Sequence, residues 1–140
     1  MNKNYLAIVL AIILLGLSLL LNTRKEEPDR TMTYKNISPI ELNSQLKTKD
    51  FLFVNVHIPY EGEIENTDLF IPYDEIEKNL DKLPKNKKIV LYCRSGRMSQ
   101  EVADKLVKLG FTKVYNLTGG MHNWQSRGFL IVTKEGSKSE

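Results

Sequence analysis

The stretch Lys88 to Ser99, KIVLYCRSGRMS, constrains this chain more than any other segment. Ile89, Val90, Leu91 and Tyr92 form a short apolar run of β-favouring residues. From Ser99 to Leu109 the apolar positions change to helical spacing, with Val102, Ala103, Leu106, Val107 and Leu109 on one face and Gly110 as the stop. The turn between strand and helix holds Cys93, the only cysteine of the 140 residues.

The other segments extend the alternation of strand and helix. Ser38-Pro39-Ile40-Glu41 reads as a capping box with proline at the first helical position, opening a helix to about Leu46. Phe51 to His57 is a buried strand candidate. Asp74 and Glu77 start an amphipathic helix with Ile76, Leu80 and Leu83 on one face, ending before Pro84. A strand over Lys113 to Leu117 and a short helix from Met121 to Arg127 follow. This order predicts an α/β fold with a central parallel sheet flanked by helices, and ligands in such sheets sit outside the carboxyl ends of the strands, where Cys93 falls.

The surroundings of Cys93 favour a thiolate. A cysteine at a helix N-terminus, with Arg94 and Arg97 one and four residues away, sits in positive potential. Such settings lower a thiol pKa from about 8.5 into roughly the 3.5 to 7.5 range. Backbone N–H groups from Arg94, Ser95, Gly96, Arg97 and Met98 can curl around a sulfur atom, and Gly96 can take positive φ without steric cost. An inert buried thiol would leave the two arginines and the glycine without a purpose.

CRSGRMS, followed by a helix and then by Leu117-Thr118-Gly119-Gly120-Met121-His122-Asn123-Trp124, resembles the single-domain rhodanese sulfurtransferases over about residues 33 to 132. The resemblance implies a three-layer α/β domain in which Cys93 takes a sulfane sulfur from a small anionic donor such as thiosulfate. The resulting persulfide passes the sulfur to a thiol or cyanide-like acceptor, without a cofactor. Arg94 to Ser99 would bind the persulfide and donor, Arg97 standing at the family's loop arginine. Many members carry an Asp-Val-Arg triplet where this chain has Asn55-Val56-His57, a difference that bears on donor specificity. A non-enzymatic sulfur carrier or protein-docking module at the membrane is the alternative, read through the acidic residues Glu61, Glu63 and Glu65.

Loop length separates this chemistry from that of cysteine phosphatases and arsenate reductases. A tetrahedral oxyanion needs a wider cradle, closed by an arginine after five intervening residues. Here that position is Ser99, and Tyr92 stands where the phosphatase signature has histidine. The six residues Cys93 to Met98 suit a terminal sulfur better.

Tyr5 to Leu21 is a run of seventeen residues without a charge. At 1.5 Å per residue it makes about 26 Å of helix, near the lower limit for a hydrocarbon core of roughly 30 Å. A cleaved secretory signal fits less well, because Asn22-Thr23-Arg24 supplies no small-x-small site. The expected organisation is a transmembrane signal anchor over 1–22, a linker over 23–32, the rhodanese-like domain over 33–135 and a flexible tail over 136–140. Lysine and arginine nearly balance across the anchor, and the four-residue N-terminal stub favours an extracytoplasmic domain.

Between Thr31 and Glu140, sixteen Lys and Arg face fourteen Asp and Glu, a balance that gives no reason to expect nucleic acid. Two separated histidines, His57 and His122, and one cysteine do not make a zinc site. His57, at a strand end, reads as a hydrogen-bonded structural residue. Met121 and Trp124 are expected in the core, and Gly119-Gly120 either brings a second backbone to Cys93 or forms a tight turn.

Overall fold

The structure, a computed structural model, describes residues 33–134 and, ahead of them, only 2, 4, 8, 9, 12 and 13. The expected anchor, linker and tail therefore lie almost wholly outside the described residues. Asn4, Ile8, Val9, Ile12 and Ile13 are helical, and among the described residues no helix is long and apolar enough to cross a membrane. The chain divides into two units, Met1–Thr31 and Met32–Glu140. The second unit carries the sheet and the cysteine loop.

Five parallel strands form its sheet in the order β1-β6-β5-β2-β4: β1 is Lys35–Ile37, β2 Leu52–Asn55, β4 Leu69–Phe70, β5 Ile89–Tyr92 and β6 Val114–Leu117. β3 (Glu63–Ile64) pairs antiparallel with β7 (Ile131–Val132) as a separate ribbon. The α-helices are α1 (Pro39–Leu46), α2 (Arg97–Lys108) and α3 (Gly120–Ser126), and a 3₁₀ segment runs over Tyr73–Lys82.

Side-chain alternation in the central strands builds two cores. Phe53, Val90, Tyr92 and Leu117 pack with Leu42 of α1 and with Met121 and Trp124 of α3. Val54, Ile89, Leu91 and Cys93 pack on the other side with Val102, Ala103, Leu106 and Val107 of α2 and with Ile76. Both faces of β5 are covered, which is why its sequence is apolar without interruption. The middle layer is the parallel sheet that the alternation predicts.

Several elements differ from expectation. Helix α1 begins as predicted, with the Glu41 N–H donating to Ser38 Oγ at 3.2 Å. The return half of the capping box is replaced: Glu41 accepts from Gln45 Nε2 at 3.1 Å. The helix expected after Asp74 is instead a 3₁₀ segment broken at Asn79 (φ −121°, ψ 21°). Asn79 donates its side-chain amide to the Glu75 carbonyl, an internal competitor for the helical ladder. Helix α2 starts two residues earlier than the apolar spacing suggests, at Arg97. It ends in a Schellman motif, with Gly110 N donating to Val107 O and Phe111 N to Leu106 O, both at 3.0 Å, and Gly110 at φ 88°.

Candidate active site

Strand β5 carries the chain to the carboxyl edge of the sheet and stops one residue before Cys93. The Val56 N–H donates to the Tyr92 carbonyl at 2.9 Å, so pairing with the β2 side holds to that last residue. The Tyr92 hydroxyl accepts from Ile64 N at 3.0 Å and lies 2.7 Å from Thr67 Oγ1. Thr67 donates to the Ile64 carbonyl at 2.6 Å, so the Tyr92 hydroxyl is the donor to Thr67. Burial pushes the Tyr92 phenol far above its ordinary value. It is a fixed, neutral strut.

Cys93 is 1% exposed and faces α2. Gly96, at φ 101°, turns the chain and is the N-cap of α2. Its N–H donates to Cys93 Sγ at 3.1 Å, and Ser99 Oγ lies 3.5 Å from the same sulfur. No side chain caps α2 and no acidic residue sits in its first turn. The N–H groups of Arg97, Met98 and Ser99 have no acceptor within the helix, as in any first helical turn. Donors and the positive end of the helix dipole thus lie at the sulfur.

The carbonyls of the loop are taken up elsewhere. Met121 N donates to Cys93 O and His122 N to Arg94 O, both at 2.9 Å. This close approach requires Gly120, because a Cβ there would stand 2.1 Å from Cys93 O and 2.8 Å from Arg94 O. The glycine pair brings a second backbone onto the loop, the first of the two uses open in the sequence.

The structure gives the six loop residues different surroundings. Gly96 and Ser99 touch the sulfur; Met98 packs against the α2-side core. Ser95 and Arg97 are exposed, and Arg97 has no ion-pair partner among the described residues. Arg94 points into a different network. Its Nη1 donates to Glu61 Oε1 and Oε2 at 3.0 and 3.1 Å, and its Nε donates to His122 Nε2 at 2.9 Å. The other oxygen contact of Glu61 is His57 Nε2, at 2.6 Å. Hydrogen bonding by His57 lowers the Glu61 pKa below its ordinary value, with the Arg94 charge acting in the same direction. Arg94, Glu61, His122, Met121, Gln125 and Ile131 line a cleft of about 210 Å³.

The triplet Asn55-Val56-His57 anchors this network. Asn55 Oδ1 accepts from His57 N at 3.0 Å and Asn55 Nδ2 donates to Gly62 O at 3.1 Å. His57 is 6% exposed, and its Nδ1 has no partner among the described residues. The acidic face expected from Glu61, Glu63 and Glu65 is not assembled. Glu61 is paired with Arg94 and His57, and Glu63 is 3% exposed with its Oε1 2.8 Å from Lys134 Nζ. Glu65 alone of the three stands exposed without a salt bridge among the described residues.

Sequence reasoning missed Glu61, His122, Asn116 and Asn36 as neighbours of the site. Glu61 looks like one charge in an acidic run, and only its spacing of four from His57 hints at a pair. Among the described residues, no group of His, Cys, Asp or Glu could hold a metal ion.

The chain is similar to known proteins in sequence and in fold. A sulfurtransferase of Allochromatium vinosum is 36% identical over 92 residues, covering 64% of this chain and 85% of the relative. The thiosulfate sulfurtransferase GlpE of Coxiella burnetii is 34% identical over 97 residues, covering 68% and 91%. Among solved structures, a rhodanese-like domain protein from Staphylococcus aureus superposes with a TM-score of 0.61 at 34% identity, covering 71% of this chain and 99% of that one. The profile of the rhodanese-like domain matches residues 38–127, a span from the cap of α1 to the end of α3 that contains Cys93 and its whole loop. With its fold, its cysteine loop and that match in agreement, the chain belongs to the rhodanese-like domain family.

Proposed function

We propose that this domain is a sulfurtransferase with Cys93 as the sulfur carrier. The observation that carries the reading is the uncapped start of α2, with the Gly96 N–H on Cys93 Sγ at 3.1 Å. The Cys93 thiolate attacks the outer sulfur of thiosulfate or of a persulfide donor. An Sγ–S bond forms, the donor's S–S bond breaks, and the electron pair leaves with sulfite or with the donor thiolate. A thiolate or cyanide acceptor then attacks the outer sulfur and regenerates the Cys93 thiolate. No external reductant is needed, because the sulfane sulfur and its oxidation level move together.

Roles follow from placement. The N–H groups at the start of α2 hold the charge of the outer sulfur, and Arg97, exposed at the first helical position, draws in the anionic donor. Arg94 contributes its backbone to the loop, while its side chain braces the cleft through Glu61 and His122. Wild-type protein supplied with thiosulfate and cyanide should release thiocyanate, Cys93→Ser should release none, and Arg97→Ala should raise the thiosulfate KM about three- to tenfold with a smaller change in kcat. Turnover by Cys93→Ser would refute the assignment, and an unchanged KM in Arg97→Ala would remove that side chain from donor capture.

The domain is further proposed to be held at a membrane by residues 1–22, on its extracytoplasmic side, through the charge-free run Tyr5 to Leu21. The full chain should then resist alkaline extraction from membranes and be cut by external protease in intact spheroplasts. Release by alkali would contradict the anchor, and protection from protease would contradict the orientation.

A further inference from the structure

Beside Cys93 lies a chain of neutral polar groups that the sulfur-transfer reading leaves unused. Ser99 and Asn116 are fully buried, and a serine and an asparagine at such positions need partners. Ser99 Oγ lies 2.7 Å from Asn116 Oδ1, 3.1 Å from the Gly96 carbonyl and 3.5 Å from Cys93 Sγ. Asn116 Nδ2 donates to Asn36 Oδ1 at 3.0 Å. The chain therefore runs from β1 through β6 to the first turn of α2 and ends on the sulfur.

A hydroxyl has one proton to give. With the Asn116 amide oriented by Asn36, the atom it turns toward Ser99 is an acceptor, and the shortest of the three Ser99 contacts is to that acceptor. The Ser99 proton then belongs to Asn116, and Ser99 turns a lone pair toward Cys93. That arrangement suits a thiol, which can donate to Ser99 Oγ. It does not suit a thiolate, which needs the Ser99 proton for itself. To serve the thiolate, Ser99 must rotate and leave the buried Asn116 oxygen without its donor, a loss that opposes ionisation.

We propose that Asn116 is a positioning residue that competes with Cys93 for the Ser99 proton, so that Ser99 follows the sulfur's charge through the reaction. When the charge moves from Sγ to the outer sulfur of a persulfide, the proton returns to Asn116 and the chain is satisfied again. Asn116 thus favours the sulfur-loaded state over the free thiolate. This rests on the sulfurtransferase reading for its purpose, and its test does not. The groups facing this chain from the sheet are the amides of Asn36 and Asn116. Arg94 and Arg97 belong to the Cys93 loop; Arg94 is held by His122 of α3 and by Glu61, which also holds His57, and Tyr34 and Tyr73 pack against the same core as Cys93.

The test is the rate of Cys93 alkylation by iodoacetamide as a function of pH, on the full chain, with folding checked by circular dichroism. Asn116→Ala should speed alkylation at about pH 6 by about three- to tenfold, because a hydrogen bond to a charged sulfur is about twice as strong as a neutral one. Ser99→Ala should slow it, and in the Ser99→Ala background Asn116→Ala should change nothing. Should Asn116→Ala fold poorly, Asn36→Ala at the exposed strand frees the amide to turn over and should speed alkylation about twofold. Slower or unchanged alkylation in Asn116→Ala, or an effect that persists without the Ser99 hydroxyl, would overturn the proposal. A chain that alkylates as expected and yet accepts no sulfur from thiosulfate would instead refute the sulfurtransferase reading alone.

Discussion

Arg94 and Arg97 carry the same charge three residues apart in one loop, and the fold gives them opposite uses. Arg97 begins α2 and is exposed, whereas Arg94 turns back to a carboxylate that also holds a buried histidine. The sequence shows two cations near a thiol; it cannot show that one is already neutralised, because Glu61 lies 33 residues away along the chain. The lowered pKa of Glu61 has a consequence for stability. A carboxylate whose folded pKa lies below its unfolded value stabilises the fold above the ordinary value of 4.5, and that contribution is lost as pH falls through the folded value. The difference in urea midpoint between wild type and Glu61→Gln should therefore be present at neutral pH and shrink on acidification below 4.5. A difference that is constant or grows toward acid would contradict the pairing with His57 and Arg94.

Elements were legible where residues repeat with one period over enough length. The run Ile89 to Tyr92 and the spacing Val102, Ala103, Leu106, Val107 locate β5 and α2, and the glycine at 110 marks the end of α2. The start of α2 is harder to read, since Arg97 and Met98 show no helical face and belong by chemistry to the loop. β3, β4 and β7 are two residues each, too short for an alternation to appear, and Leu69 and Ile131 resemble loop residues. Tyr73 to Lys82 has the apolar spacing of a helix, yet Asn79 breaks it into a tighter form. The segment Gly119-Gly120 shows why a motif can be legible while its purpose is not: only the 2.9 Å bonds from Met121 and His122 to the loop carbonyls decide between a turn and a docking contact. Gly120→Ala should accordingly destabilise the domain by about 2 kcal/mol or more, the size typical of overpacking against fixed backbone, and should abolish sulfur transfer. A variant with wild-type stability and activity would mean that α3 does not brace the loop.

For the molecule as a whole, the α/β class and the place of Cys93 at the carboxyl edge of the sheet follow from the order of elements, since parallel strands buried on both faces gather their loops at one edge. The partners gathered there do not follow from it. Asn36, Asn116 and Ser99 come from three elements and meet only because β1 pairs with β6 and α2 starts beside them. Asn116 in Val-Tyr-Asn-Leu looks like an ordinary polar residue of a strand, and a buried amide facing a helix start is visible only in three dimensions. The purpose proposed for this meeting point requires that Cys93 carry sulfur. Intact-protein mass spectrometry after thiosulfate treatment, without reducing agent, decides that: the wild-type chain should gain one sulfur atom, removed by cyanide and missing in Cys93→Ser. An unmodified wild-type mass, or the same added sulfur on Cys93→Ser, would contradict it.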